Sequence, residues 1–220
     1  MVKLDKGRVI FMNYEEMLEF VKKTLESTDK IKPNNPMHAF RNRYLHSYRV
    51  YMWARRIADD LECNREVLYT AAIFHDVGYS VEKNNHAMHS EMIFRRYAVA
   101  HNFDASFTDS VAGAIALHSH KELLNDPATP AELILLMEAD LLDEEGALGI
   151  AWDLLARGAK GAKDYTESLE ALKIHSGHIL NQDYMVTKRA KMYWNHKKEL
   201  VRSFINELVS DLFLEEENGI

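Results

Sequence analysis

The chain has 220 residues, 47% hydrophobic and 28% charged, which supports a sizeable buried core and excludes a disordered chain. A net charge of −7 disfavours nucleic acid as a partner, and no apolar run approaches the ~20 residues of a membrane span. The single cysteine, Cys63, excludes an internal disulfide and fits a reducing cytoplasm; Met1 to Lys6 leads into no apolar stretch, so no signal peptide is expected.

Helical periodicity runs through the sequence and no stretch alternates at period two, so an all-α fold is expected. Tyr14, Met17, Leu18, Val21 and Leu25 mark a first amphipathic helix over about 13–28. Pro33-Asn34-Asn35-Pro36 makes a loop. A helix over about 43–61 carries His46, Val50, Trp53, Ala54, Ile57 and Leu61 on one stripe. From about 65, Leu68, Ala71, Ala72 and His75 fall at i, i+3, i+4 and i+7, with Asp76 one step round and Gly78 placed to close the helix. After a polar loop, a helix over about 86–101 has His89, Ile93, Tyr97 and Ala100 on one face.

The next helix, about 107–118, carries Val111, Ala114, Ile115 and His118. Thr129-Pro130 starts another, with Leu133, Leu136, Met137 and Asp140 on its stripe. Residues 143–158, 163–180 and 184–213 read as helices too, the last long enough to pack on its own domain or across a homodimer. Without repeats or low-complexity linkers, one domain is expected. Its parts are an N-terminal helix and loop over 1–36, a metal-binding helical core over 37–150, and C-terminal helices over 151–220.

Five helices therefore each place one polar group on an apolar stripe: His46, His75, His89, His118 and Asp140, with Asp76 a sixth group beside the second. Buried imidazoles and carboxylates are costly one at a time, but they can share one bound cation or two. Imidazole and carboxylate suit Mn, Fe, Ni, Co, Zn or Mg, and the absence of thiolates disfavours a structural zinc site. Two ions about 3.5–4 Å apart would use all six groups, with Asp76 bridging. His38, His101, His175, His178 and His196 read as surface residues.

The segments Arg43-Tyr44-Leu45-His46-Ser47, Phe74-His75-Asp76-Val77-Gly78 and Glu138-Ala139-Asp140-Leu141-Leu142-Asp143 set out an H…HD…D order over residues 40–150. This order resembles the HD superfamily of metal-dependent phosphohydrolases. His89-Ser90, Leu117-His118-Ser119 and the run from Asp140 to Gly149 resemble a subgroup of small bacterial HD hydrolases, with Leu141 where that subgroup carries an arginine. The resemblance implies an HD-type helical bundle in which His46, His75, Asp76 and Asp140 hold a first divalent metal. It implies that His89 and His118 face a second one, or act as acid–base groups.

The expected activity is hydrolysis of a nucleotide or similar small phosphorylated molecule by metal-activated water. Asp76, His118 and His120 are the candidate catalytic residues, with His86 a further proton shuttle. Arg43, Lys121 and Arg95 are the candidate phosphate contacts, and Asp143 orients a ligand histidine or caps the next helix. Two other readings share the same residues: a di-iron oxygenase of this fold, and a nucleotide sensor without catalysis.

Overall fold

The structure is a computed structural model that describes residues 2–3, 9–10, 12–27 and 42–214; the expected loop at 33–36 and His38 lie outside these. The chain separates into two compact units, Met1–Asp140 and Leu141–Ile220.

The first unit opens with a pair of two-residue antiparallel strands, β1 (Val2–Lys3) and β2 (Val9–Ile10), with Val2 opposite Ile10. Strands this short carry no detectable alternation, so the all-helical pattern concealed them. Helices follow: α1 (Tyr14–Glu26), α2 (Arg43–Ile57), α3 (Arg65–Phe74), α4 (His86–Ala100) and α5 (Ala105–Leu117). Most of α6 (Ala131–Glu144) completes the unit, as far as Asp140.

Short polar side chains set the helix starts. Asn42 accepts from the Leu45 N–H at 3.0 Å, Asn64 from those of Glu66 and Val67, and Asp104 from that of Phe107 at 2.8 Å. Helix α3 lies at the centre and packs against α1, α2 and α5. Seven of its ten residues are buried, as expected of a helix that is apolar on nearly every side. Val50, Ala54 and Ile57 are buried on α2, and Val111 and Ile115 on α5.

Two helix ends in this unit differ from expectation, and the second bears on the site. Helix α2 stops at Ile57 and passes into a 3-10 turn, Ala58–Asp60. Helix α3 stops at Phe74, so His75 is its C-cap, and a 3-10 turn over Val77–Ser80 follows Asp76. Gly78 lies inside that turn and does not terminate the helix. Its role is close approach. A Cβ there would lie 2.1 Å from the His86 carbonyl oxygen and 2.5 Å from the Ser90 nitrogen. The Gly78 N–H donates to the buried Ser90 hydroxyl at 2.8 Å, which fixes the turn against α4.

The second unit holds α7 (Ala147–Ala159), α8 (Tyr165–Ile174), a 3-10 turn (Ser176–Asn181) and α9 (Lys188–Asp211). Leu169, Leu172, Ile179, Trp194 and Val201 form its core. Buried Asp153 accepts from the Ser176 N–H at 2.9 Å and from its hydroxyl at 2.5 Å. Helix α7 begins four residues later than expected, after Gly146 at a φ of 77°. Asp143 consequently lies within α6 and does not cap a new helix.

Candidate metal centre

His46 stands in the first turn of α2, His75 at the end of α3, Asp76 one residue on, His118 just past α5 and Asp140 on α6. The fold brings all five together. His46 Nε2 lies 3.2 Å from His75 Nε2 and 3.1 Å from Asp140 Oδ1. Asp76 Oδ2 is 3.4 Å from His46 Nε2 and 3.7 Å from His75 Nε2.

The other oxygen of Asp76 faces a second group. Asp76 Oδ1 lies 3.3 Å from His86 Nε2 and 3.6 Å from His118 Nε2, and the two imidazole nitrogens are 3.2 Å apart. The Ser119 hydroxyl is 3.4 Å from His86 Nε2 and 3.3 Å from His118 Nε2.

Three of these imidazoles are held in one tautomer by the backbone. Nδ1 of His75 meets the Ala72 carbonyl at 2.9 Å, Nδ1 of His86 the Lys83 carbonyl at 2.9 Å, and Nδ1 of His118 the Ile115 carbonyl at 2.7 Å. A carbonyl can only accept, so each Nδ1 carries a proton, and in the neutral tautomer it is Nε2 that presents a lone pair. Lone pairs therefore converge on carboxylate oxygens in a buried place. That is unfavourable for the bare groups and suited to a cation.

Donors around an ion with bonds of about 2.0–2.1 Å stand roughly 3.0–3.4 Å apart. The spacings above start within that range, at 3.1 Å, and extend past it to 3.7 Å. His46, His75 and Asp76 form one set close enough to hold a metal ion, Asp76, His86 and His118 form another, and His75, His118 and Asp140 link the two.

Titration follows the burial. His75 is fully buried, which pushes its imidazole down to about 4 despite Asp76 and Asp140 beside it. Burial would raise the Asp76 carboxyl, but His75 and Arg43 more than offset it and hold it well below the usual carboxylate range. Asp140 is likewise held low against burial, first by Lys121 and then by His46. Burial also lowers the His86 imidazole.

The cations expected to meet phosphate have other partners. Arg43 Nη1 donates to Asp76 Oδ2 at 2.8 Å, and Lys121 Nζ to Asp140 Oδ2 at 2.7 Å. Lys121 braces a carboxylate whose other oxygen faces His46, whereas Arg43 shares Asp76 Oδ2 with His46 and His75 and leaves Oδ1 to His86 and His118. Arg95 lies away from the cluster, paired with Glu91 at 2.9 Å and Asp109 at 2.7 Å on the surface.

Two histidines are also not brought in. His120 is exposed and bonds Glu122 at 2.8 Å, because the chain has already left α5 there. His89 lies 3.6 Å from Glu82. The buried stripe of α4 is Ser90, Phe94, Tyr97 and Ala98, and His86 is four residues before Ser90. His86 therefore takes the place expected of His89. The spacing His86, Ser90, Phe94 was the available signal; taking Ala100, which is exposed, as part of the stripe shifted the phase.

The stretch that carries this geometry also matches a family model: residues 43–145 fit the HD domain. Residues 43–145 of this chain thus form an HD domain. No curated protein matches the chain in sequence. Solved structures match it in fold. An HD-superfamily hydrolase from Bacillus thuringiensis is 21% identical, with a TM-score of 0.61 over 94% of this chain and 97% of its own. An HD-superfamily hydrolase from an uncultured Thermotogales bacterium is 20% identical, with a TM-score of 0.61 over 90% and 92%. Bacillus subtilis YpgQ in complex with ADP is 20% identical, with a TM-score of 0.57 over 90% and 97%. At these identities the likeness shows a shared fold, the helical fold of HD-domain proteins.

Proposed function

We propose that this HD-domain protein is a metal-dependent phosphohydrolase acting on a nucleotide or a similar small phosphorylated molecule in the cytoplasm. The observation that carries the reading is the convergence of Nε2 and Oδ atoms with the imidazole N–H groups turned away onto backbone carbonyls. His46, His75, Asp76 Oδ2 and Asp140 would hold a first divalent ion, and His86, His118 and Asp76 Oδ1 a second. The HD-hydrolase neighbours support hydrolysis, and YpgQ with ADP supports a nucleotide.

A divalent cation held by these residues would supply Lewis acidity toward a phosphoryl oxygen and toward an attacking water. The residues do the rest. His75, His86 and His118, each with its proton fixed at Nδ1, offer only Nε2 to the site. Lys121 braces Asp140 and, a quarter exposed at the rim, is the cation best placed to meet a phosphate oxygen as well. Arg43 braces Asp76, so its role is to hold that carboxylate in place.

The test is phosphate release from a mixed nucleotide panel with Mn, Co, Ni, Zn or Mg. Metal-dependent release that disappears in Asp76→Ala is the expected result. Silence with every metal alongside tight nucleotide binding would favour a sensor. Two bound irons with a mixed-valence signal and oxygen consumption would favour an oxygenase.

A further inference from the structure

The metal-centre reading leaves one aromatic side chain unexplained. Tyr79 lies in the 3-10 turn after Asp76, and its N–H donates to the Asp76 carbonyl at 3.1 Å. Its ring centroid is 4.4 Å from that of His86, with the planes tilted by 30°. The Arg43 guanidinium carbon stands 4.0 Å from the same ring centroid. These partners come from different helices, His86 from α4 and Arg43 from α2. They also reach different oxygens of one carboxylate, Arg43 on Asp76 Oδ2 at 2.8 Å and His86 on Asp76 Oδ1 at 3.3 Å.

We propose that Tyr79 is a positioning residue for the second ion, its ring face fixing the Arg43 guanidinium and the His86 imidazole so that Asp76 Oδ1 stays turned toward His86 and His118. The inference rests on the two-ion reading above. A planar guanidinium over a tyrosine face is held by cation–π attraction and stacking, and its orientation sets which carboxylate oxygen it binds. His86 needs outside support. It is the first residue of α4, and the preceding Asn85 makes no side-chain cap bond. Its ring is tethered at Nδ1 to Lys83, in the polar loop before the helix. The first group does not share this weakness, because His75 is fully buried and bonded to its own helix at Ala72. Loss of the aromatic face is therefore expected to release the second ion and leave the first.

Calorimetric titration of the chelator-stripped full chain with Mn, with bound metal counted by elemental analysis, separates the outcomes. Wild type is expected to bind two ions. Tyr79→Leu should keep the first and weaken the second by at least about tenfold, the cost typical of losing support for a ligand. Tyr79→Phe should behave as wild type. Unchanged binding of both ions by Tyr79→Leu would overturn the role of Tyr79 while leaving the two-ion reading standing. Loss of the second ion in Tyr79→Phe would also overturn it, assigning the effect to the hydroxyl. Fewer than two ions on wild type would overturn the two-ion reading and this inference with it. Should Tyr79→Leu not fold, the wild-type protein still decides: Arg43 side-chain protons are expected at upfield, ring-current-shifted positions in its NMR spectrum, and unshifted protons would contradict the stacking.

Discussion

Asp76 turns one oxygen toward each group of imidazoles. Replacing it with Ala should abolish metal retention and turnover together, as elemental analysis and phosphate release will show. It also leaves Arg43, which is buried, without the carboxylate it pairs with, a change that typically costs about 3–5 kcal/mol and is readable by urea unfolding. A separate residue controls pH dependence in the second unit. Burial, then Glu144 and Asp153, raise the Glu145 carboxyl from 4.5 to about 8, with Lys197 opposing. The unfolded chain loses this proton near pH 4.5 while the folded chain keeps it, so stability falls as pH rises from about 4.5 to 8. Glu145→Gln should flatten that decline in thermal melts. His46, His75, Asp76, His118 and Asp140 were legible from the sequence because each rides on or beside an apolar stripe. His86 was legible only as a proton shuttle, since it precedes His89 by three residues and points about 60° away from it round α4. Arg43 and Lys121 were found as cations near the site, but their carboxylate partners lie 33 and 19 residues away and leave no local pattern.

At the scale of the elements, the site depends on how the turn after Asp76 meets α4. Gly78 permits that contact, and Gly78→Ala must push the turn and helix apart, because the new Cβ would meet backbone atoms at 2.1 and 2.5 Å. A loss of about 1–3 kcal/mol in urea unfolding is expected. The second ion should be lost before the first, since His86 moves with α4. The contrast is Asn64→Ala at the start of α3, which removes a cap far from the ligands. It should cost about 1 kcal/mol and leave metal binding unchanged in titration. The number and order of the helices in the first unit were readable from periodicity and capping residues. Their ends at Ile57 and Phe74 were not, because a 3-10 turn continues a helical pattern, and the tight packing of Gly78 on Ser90 joins residues twelve apart.

Taken as a whole, the chain is all-α, as its periodicity predicts, apart from the β1–β2 pair, and no helix among the described residues is long and apolar enough to cross a membrane. A molecule of net charge −7 that gathers carboxylates and imidazole nitrogens in one buried place should be stabilised by a cation that fills it. Chelation should therefore lower the melting temperature, and added Mn should restore it, by about 2.7 kcal/mol at one hundred times the dissociation constant. The substrate was not legible at this scale, because no residue run specifies a base or sugar. The most direct test of the metal centre is an anomalous difference map from a crystal of Mn-loaded protein. A peak among His46 Nε2, His75 Nε2, Asp76 Oδ2 and Asp140 Oδ1 is the expected result. Ordered Mn elsewhere on the chain, with those four atoms bonded only to one another, would contradict it.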